Sequence, residues 1–333
     1  MKTIYVFTNG TVLRRVGRRL LLEQKQTRLF DIPLKEVSRI LIYSRTEVTG
    51  QTITALLESG ISLHYLRRSG NLRGKLIPAL DGKISLRRLQ HLYCNSEEFC
   101  LQMARDFITC KINNMKTILI YIYRNAQGTS QICQPLTELN KKLIYCKSRE
   151  EIMGIEGAAA RHYFQHYGNA FPDVFRFKIR SRRPATDPTN ALLNLGYMSL
   201  MREVMSHLEA HCLDPYLGFL HADVDGRPSL ALDMMEQFRQ PFIDLFILKT
   251  LNLNRLTSTD FVQETNSATM TDKGIRKFFQ LYEQHLGEQD GESPGIRHWI
   301  DEQIIALKKY LQGKQKYTDF QLTTEPSSIQ PFV

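Results

Sequence analysis

The sequence lacks any cysteine pair with the spacing of a metal-binding or redox motif. Its six cysteines, at positions 94, 100, 110, 133, 146 and 212, form neither a CxxC pair nor the paired spacing of a zinc ribbon. They are scattered through apolar, helix-like segments. This scatter predicts reduced, buried thiols of the kind that cytosolic proteins carry.

Long hydrophobic runs are also missing. The most apolar stretch, Ile118 to Tyr123, is far shorter than the roughly 20 residues that a helix needs to cross a bilayer. The chain opens with Lys2 and a short strand-like run, which is not the pattern of a signal peptide. We therefore expect a cytoplasmic protein with no membrane partner.

Acidic residues are the minority among the charged ones. Thirty-four Asp and Glu stand against 44 Lys and Arg, which gives a net charge of +10 and a pI near 9.3. This balance favours a polyanionic partner, and nucleic acid before a membrane surface. The alternative is a basic protein without such a partner. The length of 333 residues is enough for two domains with cores of their own.

The hydrophobic pattern changes near residue 83. Residues 1–83 read as short strands, and Asn9-Gly10 between two of them predicts a β-hairpin. Residues 84–317 follow a 3.6-residue period in long amphipathic runs, which predicts helices. Residues 318–333 include Pro326, Ser327, Ser328 and Pro331, so we expect a flexible tail. The predicted fold class is α+β, with a β-rich N-terminal domain and a larger all-α domain.

A histidine and two acids lie close together late in the chain. His221 precedes the loop Asp225-Gly226-Arg227-Pro228, and Ser229 is a plausible N-cap of the helix that follows. Asp233 and Glu236 are three residues apart and would share a face of that helix. Carboxylates suit Mg²⁺ or Mn²⁺, and an imidazole shifts the preference toward Mn²⁺. The alternative is a capped helix whose acids are solvated.

A third acid lies among small residues. Glu156 has Gly154 and Gly157 on either side and three alanines after it. Small neighbours would let another helix approach closely and leave the carboxylate in a crowded space. The alternative is helix packing alone, with Glu156 exposed.

A basic segment follows Pro172. Five of the eight residues from 176 to 183 are basic and alternate in part with aromatic residues: Arg176, Lys178, Arg180, Arg182 and Arg183. Arginine suits bidentate phosphate contacts, so the segment is a candidate DNA-binding surface. The alternative is a solvated loop.

Several of these segments together resemble the CRISPR-associated integrase family, Cas-one. The resemblance covers nearly the whole chain and rests on four blocks: Met153 to Gly157, Arg180 to Asn194 with Tyr197, Gly218 to His221, and Ser229 to Glu236. It implies a β-rich N-terminal domain and a helical catalytic domain, in agreement with the pattern. It also implies that Glu156, His221 and Glu236 are catalytic and bind Mg²⁺ or Mn²⁺.

The resemblance implies further roles. Asp233 falls at a nearby acidic position and is a secondary candidate, while the basic segment and Arg227 would hold phosphates near the metal. Whether His221 is a ligand or moves a proton stays open. The implied reaction joins the 3′-hydroxyl ends of a short DNA duplex to a CRISPR repeat. The implied assembly is a homodimer, formed through the N-terminal domain, in complex with a small ferredoxin-like partner, Cas-two.

Two other functions remain possible from the residues alone. A non-catalytic DNA- or RNA-binding protein would use the same basic surfaces, and Glu156, His221 and Glu236 would then be dispensable. A metal hydrolase acting on a small molecule would explain the acids but not the net charge. The enzyme interpretations require that these three residues converge in the fold.

Overall fold

The computed structural model describes residues 2–67, 72–79, 84–222, 224–287, 295–320 and 322. The chain divides into two compact units, Met1–Asp81 and Gly82–Val333. The boundary expected from the sequence, between residues 83 and 84, lies two residues from this division. The first unit is rich in strands and the second in helices, which confirms the predicted fold class.

Within its described residues, the first unit contains two four-stranded sheets and one α-helix. Its elements are β1 (Lys2–Val6), β2 (Thr11–Val16), β3 (Arg19–Gln24), β4 (Thr27–Pro33), β5 (Val37–Ile42), β6 (Thr46–Val48), α1 (Gly50–Glu58), β7 (Ser62–Leu66) and β8 (Leu72–Leu76). One sheet has the order β1-β5-β7-β8 and the other β4-β3-β2-β6. Apolar side chains from both sheets and from α1 form one core, which includes Leu20, Ile40, Leu56 and Leu63.

The predicted hairpin at Asn9-Gly10 is wrong. The turn itself exists, with Gly10 at a φ of +68° where only glycine is unstrained. However, β1 pairs in parallel with β5, while β2 pairs with β3 and β6. The Asn9 side chain accepts a hydrogen bond from the Arg45 amide at 2.9 Å, and the Gly10 amide donates to the Arg45 carbonyl at 2.8 Å. The turn is therefore tied to the connection between β5 and β6 and carries the chain from one sheet to the other.

The second unit is built from nine helices and one short hairpin within the described residues. The helices are α2 (Ile84–Cys94), α3 (Glu97–Tyr123), α4 (Thr129–Lys142), α5 (Arg149–Gly168), α6 (Pro188–Ala210), α7 (Ser229–Met235), α8 (Leu245–Asn252), α9 (Asp272–Leu286) and α10 (Ile296–Leu311). The hairpin joins β9 (Phe261–Gln263) to β10 (Ala268–Met270) and is an addition to the all-α domain that the sequence predicted.

The long helix α3 runs through the middle of this unit. Its 27 residues begin after Ser96, whose hydroxyl accepts a hydrogen bond from the Phe99 amide. The helix packs against α4, α5 and α7 and buries a full stripe of side chains, Lys111 among them. Because α3 contacts both α5 and α7, Glu156 on α5 and Glu236 directly after α7 both lie next to α3.

Two stretches next to the site, around Pro241 and at Ser229, have a specific local geometry. Arg239–Asp244 forms a π-helical turn that contains Pro241 and leads into α8. Proline lacks the amide that a regular helical hydrogen bond needs. Ser229 is the first residue of α7 rather than its N-cap, and its hydroxyl donates to the Ala222 carbonyl at 3.1 Å.

The start of the predicted flexible tail is held against α3. The Phe320 amide donates to Oε1 of Gln237 at 2.9 Å, and the Leu322 amide donates to Oδ1 of Asn114 at 3.0 Å. The Phe320 ring packs beside Phe238 and Phe242. An aromatic anchor with satisfied backbone groups explains why this part is ordered. Residue 321 and residues 323–333 lie outside the described residues.

No helix in the described part of the chain is both long enough and apolar enough to span a membrane.

Candidate active site

Three helices bring two of the predicted site acids onto one lysine. The Lys111 ammonium on α3 contacts Oε1 of Glu156 on α5, and it lies 2.6 Å from Oε2 of Glu236 at the end of α7. The Lys111 and Glu236 side chains are only 6% and 5% exposed, whereas Glu156 is 27% exposed. The two carboxylates therefore converge on a single cationic position that opens to solvent on the Glu156 side.

The two glycines beside Glu156 do not serve helix packing, whereas Ala159 of the same helix is fully buried. A Cβ atom built on Gly154 or on Gly157 would meet no other atom within 4 Å. Both glycines are exposed, so the predicted close approach of another helix at these positions is wrong. They instead leave open space on the surface beside a partly exposed carboxylate.

A second cation sits on Glu236. Nε of Arg239 lies 3.0 Å from Oε2 of Glu236, one helical turn further along the chain. Burial by itself would raise the pKa of the Glu236 carboxyl, but the charges of Arg239, Lys111 and His221 outweigh it and hold that pKa well below its usual range. Glu236 is therefore a buried carboxylate that stays ionised.

Asp233 fixes the position of His221. One oxygen of its fully buried carboxylate lies 2.6 Å from Nδ1 of His221 and accepts from the His221 amide at 3.1 Å. The other oxygen accepts from the amides of Phe219 and Leu220 at 2.6 and 2.9 Å. Asp233 therefore shapes the turn that carries His221 and leaves Nε2 as the nitrogen available for a proton or a metal.

Gly218 makes this arrangement possible. A Cβ atom there would lie 2.7 Å from Oδ2 of Asp233 and 2.8 Å from Cβ of Ser229. No side chain fits in this space without moving the buried carboxylate. The resemblance included Gly218 in one of its blocks, but nothing in the local pattern explained why glycine is needed.

The donor chemistry at this position suits a divalent cation, although no cage is formed. Among the described residues, no group of three His, Cys, Asp or Glu side chains is arranged to hold a metal ion. Two oxygen donors nevertheless face one positive charge, the Lys111 ammonium, which stands where a metal ion would be attracted. Metal binding by Glu156, His221 and Glu236 stays a prediction.

A buried aspartate, Asp244, accepts hydrogen bonds from three tyrosines next to the site. Oδ1 of Asp244 accepts from the Tyr197 hydroxyl at 2.6 Å and Oδ2 from the Tyr163 hydroxyl at 2.9 Å, while the Asp244 carbonyl accepts from Tyr167 at 2.9 Å. Burial raises the pKa of Asp244 to about 6, against the effect of these hydroxyls. The Arg239 guanidinium lies 4.7 Å from the centre of the Tyr197 ring, so the network reaches Glu236 through Arg239. Sequence reasoning missed Asp244, whose signal was a lone acid in the apolar run 242–251.

The basic segment divides into exposed and internal residues. Phe175 and Phe177 are buried and hold the segment against the helices, while the basic side chains at 176, 178, 182 and 183 are exposed. Arg176 forms an ion pair with Asp173 at 2.8 Å. Within the described part of the chain, Lys178, Arg182 and Arg183 have no such acidic partner. DNA binding by these residues stays a prediction.

Arg180 has a structural place instead. Its guanidinium donates to Oδ1 of Asn190 and to Oδ1 of Asn194, both at 2.7 Å, and it lies over the rings of Phe164 and Tyr197. Burial lowers the pKa of this guanidinium. Both terminal nitrogens of Arg180 thus donate to groups of the protein itself. A phosphate contact by Arg180 stays a prediction. Arg227 is partly exposed in the loop between His221 and α7, and its predicted phosphate contact stays a prediction.

The sequence matches the protein family described as CRISPR associated protein Cas1 over residues 4–284. It is 31% identical to "CRISPR-associated endonuclease Cas1 3" of Thermus thermophilus over 332 residues, which are 99% of this chain and 96% of that protein. It is also 31% identical to a "CRISPR-associated exonuclease Cas4/endonuclease Cas1 fusion" of Geobacter sulfurreducens over 93% of this chain, but spans only 58% of the fusion.

The fold is also shared with a solved structure, "Casposase bound to integration product". The TM-score is 0.84 with 24% sequence identity, over 100% of this chain and 96% of the casposase chain.

Proposed function

The chain belongs to the Cas1 (Cas-one) family of endonucleases and integrases, and on that premise we propose that it is a metal-dependent DNA integrase. The proposed substrate is a short DNA duplex with free 3′-hydroxyl ends, and the proposed target is a CRISPR repeat. The reaction is a transesterification at a phosphodiester.

One observation carries this proposal. Glu156 and Glu236 lie on different helical segments, 80 residues apart in the chain, and converge on one cationic position, while His221 is held by Asp233, three residues before Glu236. Glu156, Glu236 and Nε2 of His221 are the donors that would hold Mg²⁺ or Mn²⁺. When bound, the ion supplies a Lewis acid that offsets the charge developing on a phosphate. A purely binding protein has no need for two carboxylates at a site meant for a polyanion.

The reaction balances without a protein nucleophile. The 3′-oxygen of the duplex loses its proton and attacks the target phosphorus, which forms one P–O bond. The 3′-oxygen of the cleaved target strand leaves and takes up a proton, so the number of phosphodiesters is unchanged. Water in place of the 3′-hydroxyl would give hydrolysis instead. The Asp233 contact holds Nδ1 of His221, so Nε2 is the atom of the imidazole that could take the proton if it does not hold the ion.

The proposed DNA surface follows the exposed basic residues. Lys178, Arg182 and Arg183 lie in the segment that ends at the start of α6, and Arg227 lies in the His221 loop. Phosphate contacts of this kind are independent of base sequence and depend strongly on salt. They would position the duplex, while specificity for a repeat would have to come from elsewhere.

We further propose the partners that the family resemblance implies. The chain would form a homodimer through its N-terminal unit and assemble with the small partner Cas-two. Such an assembly would hold a duplex across two sites and exclude water, which favours joining over hydrolysis.

A label-transfer experiment tests the proposal. Purified protein is mixed with a labelled short duplex bearing 3′-hydroxyls, a supercoiled plasmid carrying a repeat, Cas-two, and Mn²⁺ or Mg²⁺. We expect metal-dependent transfer of label to the plasmid, and loss of transfer in Glu156→Ala and His221→Ala. DNA binding without transfer or nicking, unchanged in both variants, would instead indicate a non-catalytic binding protein.

A further inference from the structure

Lys111 is the residue of the candidate site that neither its sequence context nor the resemblance pointed to. It lies in the interior of α3 among apolar side chains, and its ammonium is nearly inaccessible. Buried lysines are costly unless their charge is paired. Here the ammonium meets two carboxylates, one from α5 and one from the end of α7.

The pair of carboxylates needs a cation to stay together. Two negative charges that face one point repel each other, and the repulsion is strong where water is largely excluded. Of the two acids, Arg239 forms an ion pair with Glu236, at 3.0 Å, whereas Lys111 is the cation that contacts both among the described residues. Lys111 therefore satisfies the electrostatic need that a divalent ion would satisfy.

We propose that Lys111 is a built-in counter-ion that occupies the metal position between Glu156 and Glu236 and is displaced when a divalent cation binds. The inference rests on the proposed function, since it assumes that this position takes a metal.

A lysine side chain is suited to this exchange. Its ammonium is a compact charge at the end of a flexible stem, so it can leave the carboxylates while the helix stays fixed. The site opens on the Glu156 side, where that carboxylate is 27% exposed and Gly154 and Gly157 leave open space on the surface of the same helix. The structure therefore offers a path for the incoming ion.

The test compares Mn²⁺ binding by the full-length wild-type chain and by Lys111→Met, which keeps the stem and removes the charge. Binding is followed by calorimetry and by the electron paramagnetic resonance signal of free Mn²⁺. The substitution removes the ammonium charge that competes with Mn²⁺ for the two carboxylates. We therefore expect the variant to bind Mn²⁺ at least about tenfold more tightly than the wild type does. The metal-free variant should melt at least about 5 °C below the wild type, and saturating Mn²⁺ should close most of this gap.

The matched control is Lys141→Met on α4. Lys141 also forms an ion pair with a glutamate, Glu138, at 3.1 Å, but its side chain is 67% exposed. Exposed pairs of this kind contribute little. We expect Mn²⁺ affinity and melting temperature to be unchanged in the control. Mn²⁺ binding by Lys111→Met that equals or falls below that of the wild type would overturn the proposal.

A second measurement uses the wild-type protein and does not depend on how a variant folds. The rate at which an amine-reactive ester acylates Lys111 is followed by peptide mass spectrometry, at fixed pH, with and without Mn²⁺. We expect acylation of Lys111 to rise at least about threefold when Mn²⁺ binds, with Lys141 as the internal standard. Unchanged or slower acylation of Lys111 under conditions where Mn²⁺ is bound would show that the lysine stays in place.

The outcomes separate this inference from the proposed function. The wild type could bind Mn²⁺ and transfer DNA while acylation of Lys111 does not rise and Lys111→Met does not bind Mn²⁺ more tightly. In that case only the counter-ion role of Lys111 fails. If Mn²⁺ neither binds the wild type nor supports transfer, the integrase proposal fails, and the counter-ion role fails with it.

Discussion

The carboxylate of Asp233 lies 2.6 Å from Nδ1 of His221 and also accepts hydrogen bonds from three consecutive backbone amides, those of residues 219–221. One buried side chain thus sets both the path of the loop and the orientation of the imidazole. Asp233, which the sequence suggested as a secondary site acid, acts through His221 and makes no contact with Lys111 or Arg239 in the ion pairs of the site.

Asp233→Asn tests this positioning role. An amide offers one acceptor oxygen where the carboxylate offers two, so at least one buried N–H loses its partner. We expect the free energy of unfolding to fall by about 1–3 kcal/mol. Because the histidine loses its orienting partner, DNA transfer should fall by about 10–100-fold.

Urea denaturation and single-turnover transfer, measured on the same samples, check both effects. Asp225→Asn is the matched control, since Asp225 is an exposed aspartate of the same loop, and it should change neither quantity. Full transfer activity in a folded Asp233→Asn protein would rule out the positioning role.

Tyr197→Phe tests the network behind the site. The change removes the hydroxyl that donates to Asp244 at 2.6 Å but keeps the ring beneath Arg239 and Arg180. A buried acceptor that loses a donor costs about 1–3 kcal/mol. We expect that loss in the free energy of unfolding, measured by urea denaturation. Tyr145→Phe, at an 80% exposed tyrosine, should leave stability within about 0.5 kcal/mol of the wild type. Equal stability of the two variants would show that the contact contributes nothing.

Arg182→Gln/Arg183→Gln tests the proposed DNA surface. Each phosphate contact contributes about 0.9 to the slope of log affinity against log salt, so losing two contacts should lower that slope by about 2. Titrations of a fluorescent duplex at several salt concentrations measure it. The control, Lys141→Gln/Lys142→Gln at the exposed end of α4, removes the same charge and should leave the slope nearly unchanged. If the two double variants behave alike, net charge alone explains the binding.

His285 makes stability depend on pH. Nε2 of its buried ring donates to the Phe242 carbonyl, 2.7 Å away, and burial lowers the pKa of His285 to about 4 from an ordinary value of 6.5. The unfolded chain therefore binds a proton below pH 6.5 that the native chain does not bind until about pH 4. This contribution is fully present above pH 6.5 and is lost as the pH falls toward 4.

The comparison with His285→Gln isolates the effect from Asp244, whose raised pKa acts with the opposite sign over the same range. Relative to this variant, the wild type should lose about 2 kcal/mol of stability between pH 7 and pH 5. Urea denaturation at both pH values measures the difference. If the difference in unfolding free energy between the wild type and His285→Gln is the same at both pH values, His285 is not a buried neutral histidine.

The helical character of the second unit follows from local pattern. The Ser96 cap of α3 and the Ser148 cap of α5 show why, because a hydroxyl before an amphipathic run is a direct local signal for a helix start. The β-rich unit was less predictable. Asn9-Gly10 marks a turn correctly, but the pairing of β1 with β5 depends on residues more than 30 positions away.

The candidate site was visible in part. The family resemblance pointed to Glu156, His221 and Glu236. It did not point to Lys111, and the local pattern did not either, because a single lysine in a long helix usually extends to solvent. Its burial depends on where α5 and α7 dock, and Asp244 likewise depends on three tyrosines from two other helices. Such partners are set by tertiary packing, which no local window contains.

The central claim is that the chain joins DNA by attack of a 3′-hydroxyl, and one comparison tests it most directly. Labelled duplexes that end in a 3′-hydroxyl or in a 3′-deoxy sugar are incubated with the protein, Cas-two, a repeat-bearing plasmid and Mn²⁺. We predict covalent transfer of label only from the 3′-hydroxyl duplex, and none with Glu236→Gln. Equal incorporation from both duplexes, or transfer that survives in Glu236→Gln, would contradict the account.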